Sequence, residues 1–399
     1  MDDFACVADA ADAALTHTHQ QRAWTPALKL EATTMPETHA GQKSKSEQLD
    51  FANYFVSYGY LYHQKDMLQD QGRMDGYRNA ILMNARSFAG KVVLDVGTGS
   101  GILAIWAAKA GAKKVYAVEA TSMSQHARRL VAQNNLQDVV VVLEGYMEKL
   151  EIPEKVDIIV SEWMGYFLLR EAMLDSVLYA RDTYLKPGGA MYPSHAQIIM
   201  APLCANLHTQ RAGEYADELA AWGDFSEYMR ASNGVEIGGL AEYYDREQFE
   251  YLLQTAHWCQ LSQAEIIGDE FNLCEMDVHD VTVPQLSDVR CDFRSEIVAE
   301  TELTAFGGWF DVQFKGSAAA PAGTPVPLST APGAPTHWAQ QVFLVHPPLS
   351  VMEGDVVEGS VRLCRQKVNH RLLYVQVRFT LLRGGAPVEP ERTCNYRID

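Results

Sequence analysis

The chain has 399 residues, 47% of them hydrophobic, and sets 33 Lys and Arg against 51 Asp and Glu for a net charge of −18. That length suggests two or three domains. The acidic balance argues against nucleic acid as the main partner, because phosphate binding needs concentrated Lys and Arg, and it suits a cationic ligand.

Residues 1–45 are rich in Ala, Thr, His, Gln and Lys with little apolar periodicity, and read as a mobile tail. The start, Met1-Asp2-Asp3-Phe4-Ala5, lacks the basic and apolar regions of a secretory signal. No run is long and apolar enough to span a bilayer, so no membrane role is expected. The seven cysteines are scattered without paired spacing. Reduced thiols in a cytoplasmic or nuclear protein, and no metal site, are the expectation. Between Phe51 and about Ala85, Tyr54, Phe55, Tyr58, Leu61, Met67, Leu68 and Met74 recur at helical spacing, which predicts two amphipathic helices.

Short apolar runs follow at Val92–Leu94, Val115–Val118, Val139–Leu143 and Val156–Val160. Helix-like segments, Ile102–Ala110 and Met123–Asn134, separate the first three. Apolar runs alternating with helices predict a parallel sheet covered on both faces. Lys186-Pro187-Gly188-Gly189 reads as a turn before a further strand. Beyond Tyr192 the pattern becomes mainly β, with strict alternation at Phe310–Lys315 and Val375–Thr380, as in antiparallel strands with one buried face. One insertion, about 206–250, is helical: Tyr215, Leu219, Trp222, Phe225 and Met229 recur every three or four residues, and that apolar face must be covered by something. Ser317–Pro335, rich in Ala, Pro, Gly and Thr, reads as a loop.

Asp95-Val96-Gly97-Thr98-Gly99-Ser100-Gly101 follows the first strand and opens the first helix. Glycines there let the backbone approach a ligand closely. The dinucleotide fingerprint G-x-G-x-x-G is not met, since Ile102 stands where it requires glycine. The shorter pattern suits a nucleoside without a pyrophosphate. Glu119 ends the second strand, where a carboxylate can accept from both ribose hydroxyls. Glu148, after the third strand, is placed to meet the exocyclic amine of adenine. The fourth strand runs into Ser161-Glu162-Trp163-Met164-Gly165-Tyr166-Phe167-Leu168-Leu169-Arg170-Glu171. Two carboxylates on one loop at the strand ends match the planar donors of a guanidinium. A solvated loop, with Glu171 paired to Arg170, is the plain alternative.

Residues 90–190 resemble the class I S-adenosylmethionine-dependent methyltransferases. The double-glutamate loop, with Tyr54-Phe55, Ser57-Tyr58, His63, Met67-Leu68 and Arg73 upstream and Thr336-His337-Trp338 downstream, resembles the protein arginine N-methyltransferases over about 50–399. Gly165–Arg170, Phe306–Phe310 and His337–Phe343 resemble the plant-type branch of that family. The resemblance implies a Rossmann-like sheet domain with its N-terminal helices over 46–192, then an antiparallel β-barrel domain over 193–399. It also implies that the insertion is an arm through which two copies form a homodimer; a flap over its own barrel is the alternative.

The resemblance implies roles residue by residue. His63 and Arg73 contact the methionine moiety, and Phe55, Asp95, Gly97, Gly99, Glu119, Ala120, Met147 and Glu148 form the rest of the cofactor site. Glu162 and Glu171 grip the substrate guanidinium, Tyr58 and Trp338 help bind it, and Asp70 with His337 orients the site. Met67 and Met173 flank the acceptor nitrogen and go with asymmetric dimethylation, called type I, although both could be core fillers. The expected cofactor is S-adenosylmethionine, which leaves as S-adenosylhomocysteine. The expected substrates are arginine-containing proteins, histones or Arg-Gly-rich chains. A non-catalytic arginine-binding scaffold of the same fold is the competing reading.

Overall fold

The computed structural model describes residues 45–399 apart from position 368, so all but the last residue of the expected tail lies outside the described residues. Three helices rather than two precede the first strand: α1 (Lys45–Tyr58), α2 (Leu61–Gln69) and α3 (Gln71–Leu82), followed by the single turn α4 (Ala85–Phe88). Two local breaks make the extra helix. Tyr60 is extended, at φ −96° and ψ 138°. Asp70 is extended as well, and its carboxylate accepts the Arg73 N–H at 2.9 Å, which caps α3. Apolar spacing reports which face is buried, not the residue at which the backbone leaves the helix.

The next elements are β1 (Val92–Val96), α5 (Ile102–Lys109), β2 (Lys114–Glu119), α6 (Met123–Gln133), β3 (Val140–Glu144), β4 (Val156–Val160), α7 (Leu174–Tyr184) and β5 (Leu185–Tyr192). The strands form one parallel sheet in the order β3-β2-β1-β4-β5. Every residue of β1 is buried, as a strand with both faces covered requires. The order reverses between β1 and β4, so the carboxyl ends of these two strands flank the switch point where such sheets bind ligands. Ser161, just past β4, donates its hydroxyl to the Val96 carbonyl at 2.7 Å and fastens the two ends together. Lys186–Gly189 is not a separate turn. It belongs to β5, where the six residues Leu185–Ala190 run against the three of β4 from Val156 to Ile158 and absorb the register shift as a bulge.

The C-terminal half begins with β6 (His195–Leu203), the helices α8 (Asn206–Asn233) and α9 (Ala241–Leu253), β7 (His257–Cys259), β8 (Phe271–Asp277), α10 (Val283–Ser287) and β9 (Asp288–Glu296). It ends with β10 (Thr301–Gly316), β11 (Pro321–Ser329), β12 (Gln340–Val351), β13 (Val356–Arg365), β14 (Leu373–Arg383), β15 (Ala386–Pro387) and β16 (Arg392–Ile398). Two antiparallel sheets result: β7-β12-β10-β6-β8 with β11 on β10, and β15-β14-β13-β9 with β16 on β14. The alternation on β14 is real, with Val375, Val377 and Phe379 all buried.

The expected loop Ser317–Pro335 is corrected in part, since β11 pairs with β10 through Val312↔Leu328 and its neighbours. Its prolines are tolerated because β11 pairs on one side only, so the missing N–H groups break no ladder on the other. α8 and α9 pack on each other, with Trp222 stacked on Tyr244 at 4.4 Å and Tyr215 edge-on to Phe249. That packing covers the insertion only in part: Phe225, Tyr228 and Tyr243 remain 47, 58 and 57% exposed.

Candidate active site

The ends of β1, β2 and β4, the start of α7 and the helices α1–α3 enclose a cavity of about 700 Å³. Its floor is the glycine turn. Gly97 and Gly99 have φ of +72° and +53°. A Cβ on Gly97 would sit 2.1 Å from Met173 Cε, the movable end of a flexible side chain, so it is the left-handed backbone that calls for glycine here. Asp95 is fully buried under the turn rather than lining the cavity. Its Oδ2 accepts from Thr98 Oγ1 at 2.5 Å and from the Ala104 N–H at 3.1 Å, which holds the turn on the helix behind it. Burial, only partly offset by those bonds, pushes its carboxyl up to about 7.

Glu119 projects from the end of β2. Its two oxygens accept the N–H groups of Gly99 and Thr121, both at 2.8 Å, which fixes the carboxylate and leaves further lone pairs for a diol. Ala120, Met147 and Glu148 line the same end of the cavity, and Glu148 Oε1 accepts from Ser176 Oγ at 2.5 Å. Phe55 lines the cavity as well, edge-on to Tyr146 at 5.2 Å. Glycine floor, anchored carboxylate and aromatic wall together fit the nucleoside part of S-adenosylmethionine. His63 is not among the lining residues; its ring packs edge-on against Tyr58 at 4.8 Å.

The double-glutamate loop closes the other end. Phe167, Leu168, Glu171 and Ala172 all have positive φ, between +50° and +84°. Non-glycine residues in that region cost of order 1–3 kcal/mol each and persist only where the surroundings hold them. The loop folds so tightly that a Cβ on Gly165 would lie 1.8 Å from the Arg170 carbonyl. The outcome is that both glutamates face the cavity. Glu162 Oε2 accepts from Arg73 Nε at 3.1 Å and Nη2 at 2.8 Å. Its Oε1 is buried and has no hydrogen-bond partner among the described residues. Glu171 Oε2 accepts from the Tyr58 hydroxyl at 3.1 Å. Burial raises the Glu171 carboxyl above its usual range; the charges of Arg170 and Arg371 and the Tyr58 bond oppose the rise, and Glu162 adds to it. Met67 and Met173 both line the space near these carboxylates.

Asp70 and His337 form the expected pair, Nδ1 to Oδ2 at 2.6 Å, and the His337 N–H reaches the same oxygen at 2.8 Å. Asp70 thus caps the helix that carries Arg73 and holds the Thr-His-Trp loop at once. The pair and Trp338 lie outside the cavity lining. Trp338, expected near the substrate, is buried behind the loop, where its indole N–H donates to the Met164 carbonyl at 2.8 Å. A large aromatic with one donor finds a buried acceptor more readily than an open site.

Three groups that line the cavity escape a sequence reading. Gln64 packs over the glycine turn, with Oε1 2.9 Å from where a Gly99 Cβ would be. Arg371 and His370 arrive from the β13–β14 connection, some 200 residues beyond the glutamates. Nothing local marks them, because a lone arginine between two strands looks like any solvated hairpin residue.

Comparison with known proteins agrees with this geometry. Residues 204–383 match the family described as arginine methyltransferase oligomerization subdomain, and residues 81–192 match ribosomal protein L11 methyltransferase (PrmA). The protein arginine N-methyltransferase PRMT10 of Arabidopsis thaliana is 49% identical over 83% of this chain and 87% of its own length. PRMT10 of Oryza sativa subsp. japonica is 49% identical over 88% and 94%. These relatives are of the plant-type branch expected from the sequence. Among solved structures, Arabidopsis thaliana protein arginine methyltransferase 10, described as a uniquely open conformation, superposes with a TM-score of 0.85 at 46% identity, covering 87% of this chain and all of that one. The Trypanosoma brucei PRMT1 enzyme-prozyme heterotetrameric complex with AdoHcy superposes with a TM-score of 0.71 at 30% identity, covering 86% of this chain and all of that one. With the glycine turn, the anchored Glu119 and the inward-facing Glu162 and Glu171 on one cavity, the chain belongs to the protein arginine N-methyltransferase family.

Proposed function

We propose that the chain is a type I enzyme that transfers methyl groups from S-adenosylmethionine to the guanidinium nitrogens of arginine in proteins, giving monomethyl and asymmetric dimethylarginine. The observation that carries this reading is the facing pair Glu162 and Glu171 beside the nucleoside-shaped end of one cavity. Bound there, the cofactor supplies an electrophilic sulfonium methyl group. The chain's own residues do the rest. Glu119 and Glu148 hold the nucleoside, Gly97 lets it lie flat on the turn, and Arg73, which donates to Glu162 and to the Met67 carbonyl, is the cation that the cofactor's carboxylate would meet.

A protonated guanidinium has no free lone pair. The open Oε1 of Glu162 and the oxygens of Glu171 accept N–H groups from one side of the substrate guanidinium and draw its positive charge there. The nitrogen on the far side becomes the better nucleophile and is aimed at the methyl group; as the N–C bond would form, the S–C bond would break to leave S-adenosylhomocysteine, and the nitrogen's proton would pass to Glu171 or to the His337–Asp70 pair. Proximity and preorganised carboxylates in a water-poor cavity supply the acceleration. Met67 and Met173 leave slim, flexible walls beside the acceptor nitrogen, which supports a second methylation of the same nitrogen. The match to an oligomerization subdomain and the exposed aromatics of α8 and α9 support a homodimer formed through that arm, and the net charge of −18 supports basic, Arg-Gly-rich or histone substrates. Incubation with labelled S-adenosylmethionine and an Arg-Gly-rich peptide, then separation of methylarginine isomers, tests the reading. Asymmetric dimethylarginine is expected, and symmetric dimethylarginine as the main product would refute type I.

A further inference from the structure

We propose that Arg371 is a positioning residue for Glu171: its hairpin fixes where the second glutamate stands, and its guanidinium sets the charge that Glu171 offers to an incoming cation. The inference deepens the function proposed above and rests on it.

Glu171 sits at φ +84°, a backbone conformation that its neighbours must impose. The imposing group is the Arg371 carbonyl, which accepts the Glu171 N–H at 3.0 Å. The hairpin that presents this carbonyl is itself braced. Asn369, buried, accepts the Arg371 N–H on its side chain at 3.1 Å and the Leu372 N–H on its carbonyl at 3.1 Å, and the Gln366 N–H closes on the Leu372 carbonyl at 2.9 Å. At the base of the hairpin Arg365 forms two parallel bonds of 2.7 Å to Asp175 in the first turn of α7, just after the glutamate loop. The carboxy-terminal sheet therefore grips the loop on both sides of Met173.

The side chain of Arg371 turns into the cavity and is 9% exposed. Its guanidinium carbon lies 3.5 Å from the centroid of the Tyr54 ring on α1, a cation–π contact that holds the charge in one place. The charged and titratable groups that face Glu171 are Arg170 on its own loop, Arg371 from the hairpin, Tyr58 and Tyr54 from α1, and Glu162 across the cavity. Of the two cations among them, Arg371 comes from the other half of the chain. Through the Tyr54 ring it also joins α1 to the wall of the cavity on which Glu171 stands.

The test uses the full chain with S-adenosylhomocysteine bound and follows the affinity for an arginine peptide as the pH is lowered from neutral into the acid range, since burial raises the Glu171 carboxyl. Wild type is expected to lose affinity as the pH falls and Glu171 protonates. Arg371→Met, which removes the charge and keeps an apolar stem, should move that loss to higher pH, because the Arg371 charge opposes the rise of the Glu171 carboxyl. Arg371→Lys keeps the charge and should leave the pH dependence in place. If the Met variant does not fold, Arg371→Gln reads the same shift. A shift of the same size in the Lys variant means a packing role only and overturns the proposal. So does a neutral variant whose curve superimposes on wild type, or a wild-type curve that is flat with pH. Methyl transfer by wild type to the same peptide is measured alongside: its absence overturns the proposed activity and leaves the binding comparison to decide the role of Arg371.

Discussion

Replacing Glu162 by Gln isolates what the first carboxylate does. The side chain keeps its shape, and the structure says what each of its two orientations meets. Both Arg73 bonds land on Oε2, whereas Oε1 is buried and open. If the amide nitrogen takes the Oε2 place, it points donors at the Arg73 donors. If it takes the Oε1 place, it points donors at the substrate N–H groups. Pairing with Arg73 favours the second orientation, so an incoming guanidinium meets a donor where it needs an acceptor. Loss of one preorganised electrostatic contact costs about 100- to 1000-fold in rate, roughly 2.7–4 kcal/mol of transition-state stabilisation. Single-turnover methyl transfer from labelled S-adenosylmethionine to an arginine peptide gives the rate, and a titration with S-adenosylhomocysteine gives the cofactor affinity. We expect the rate to fall by at least about 100-fold while that affinity stays within a few-fold. A rate within about tenfold of wild type would refute the role of Glu162 in gripping the substrate.

Three further outcomes follow from other parts of the site. Gly97→Ala puts a Cβ 2.1 Å from Met173 Cε at a φ of +72°, so cofactor affinity, measured by calorimetry, should drop by about tenfold or more through strain of 1–3 kcal/mol; unchanged affinity would show that the turn does not carry the cofactor. Burial raises the folded-state pKa of Glu171 above 4.5, so folding takes up a proton there, and the burden of its buried charge grows as the pH rises through the window above 4.5. Glu171→Gln should accordingly gain thermal stability relative to wild type on going from acid to neutral pH while losing activity, and a stability difference that is flat with pH contradicts this linkage. Removing residues 206–250 should turn a sedimenting dimer into a monomer, and a truncated protein that stays dimeric refutes the arm as the interface.

Much of the parallel sheet was legible because its signals are local. β4 begins and ends with its apolar run, and β1 to β3 match theirs to within a residue or two; β1, buried throughout, shows why, since a strand covered on both faces must be continuously apolar. The glycine turn was legible for a related reason: positive φ and close approach demand glycine whatever the fold around them. The misreadings occurred where partners at a distance decide. Pro321–Ser329 looks like a loop until the end of β10 pairs with it. Pro-Gly-Gly at 187–189 looks like a turn until β4 offers a ladder that tolerates a bulge.

The site divides in the same way. The sequence by itself determined which chemistry-bearing residues exist and in what order: Arg73, the glycine turn, Glu119, the paired glutamates and the Thr-His-Trp loop. It could not determine which of them face the ligand. Tertiary packing put Asp95 beneath the turn and Trp338 behind the loop, and it set His337 to hold Asp70. It also brought Arg371 from a hairpin about 200 residues away onto the backbone of Glu171. The physical reason is that residue type fixes what a group can donate, accept or carry as charge, whereas burial and orientation belong to contacts between segments far apart in the chain.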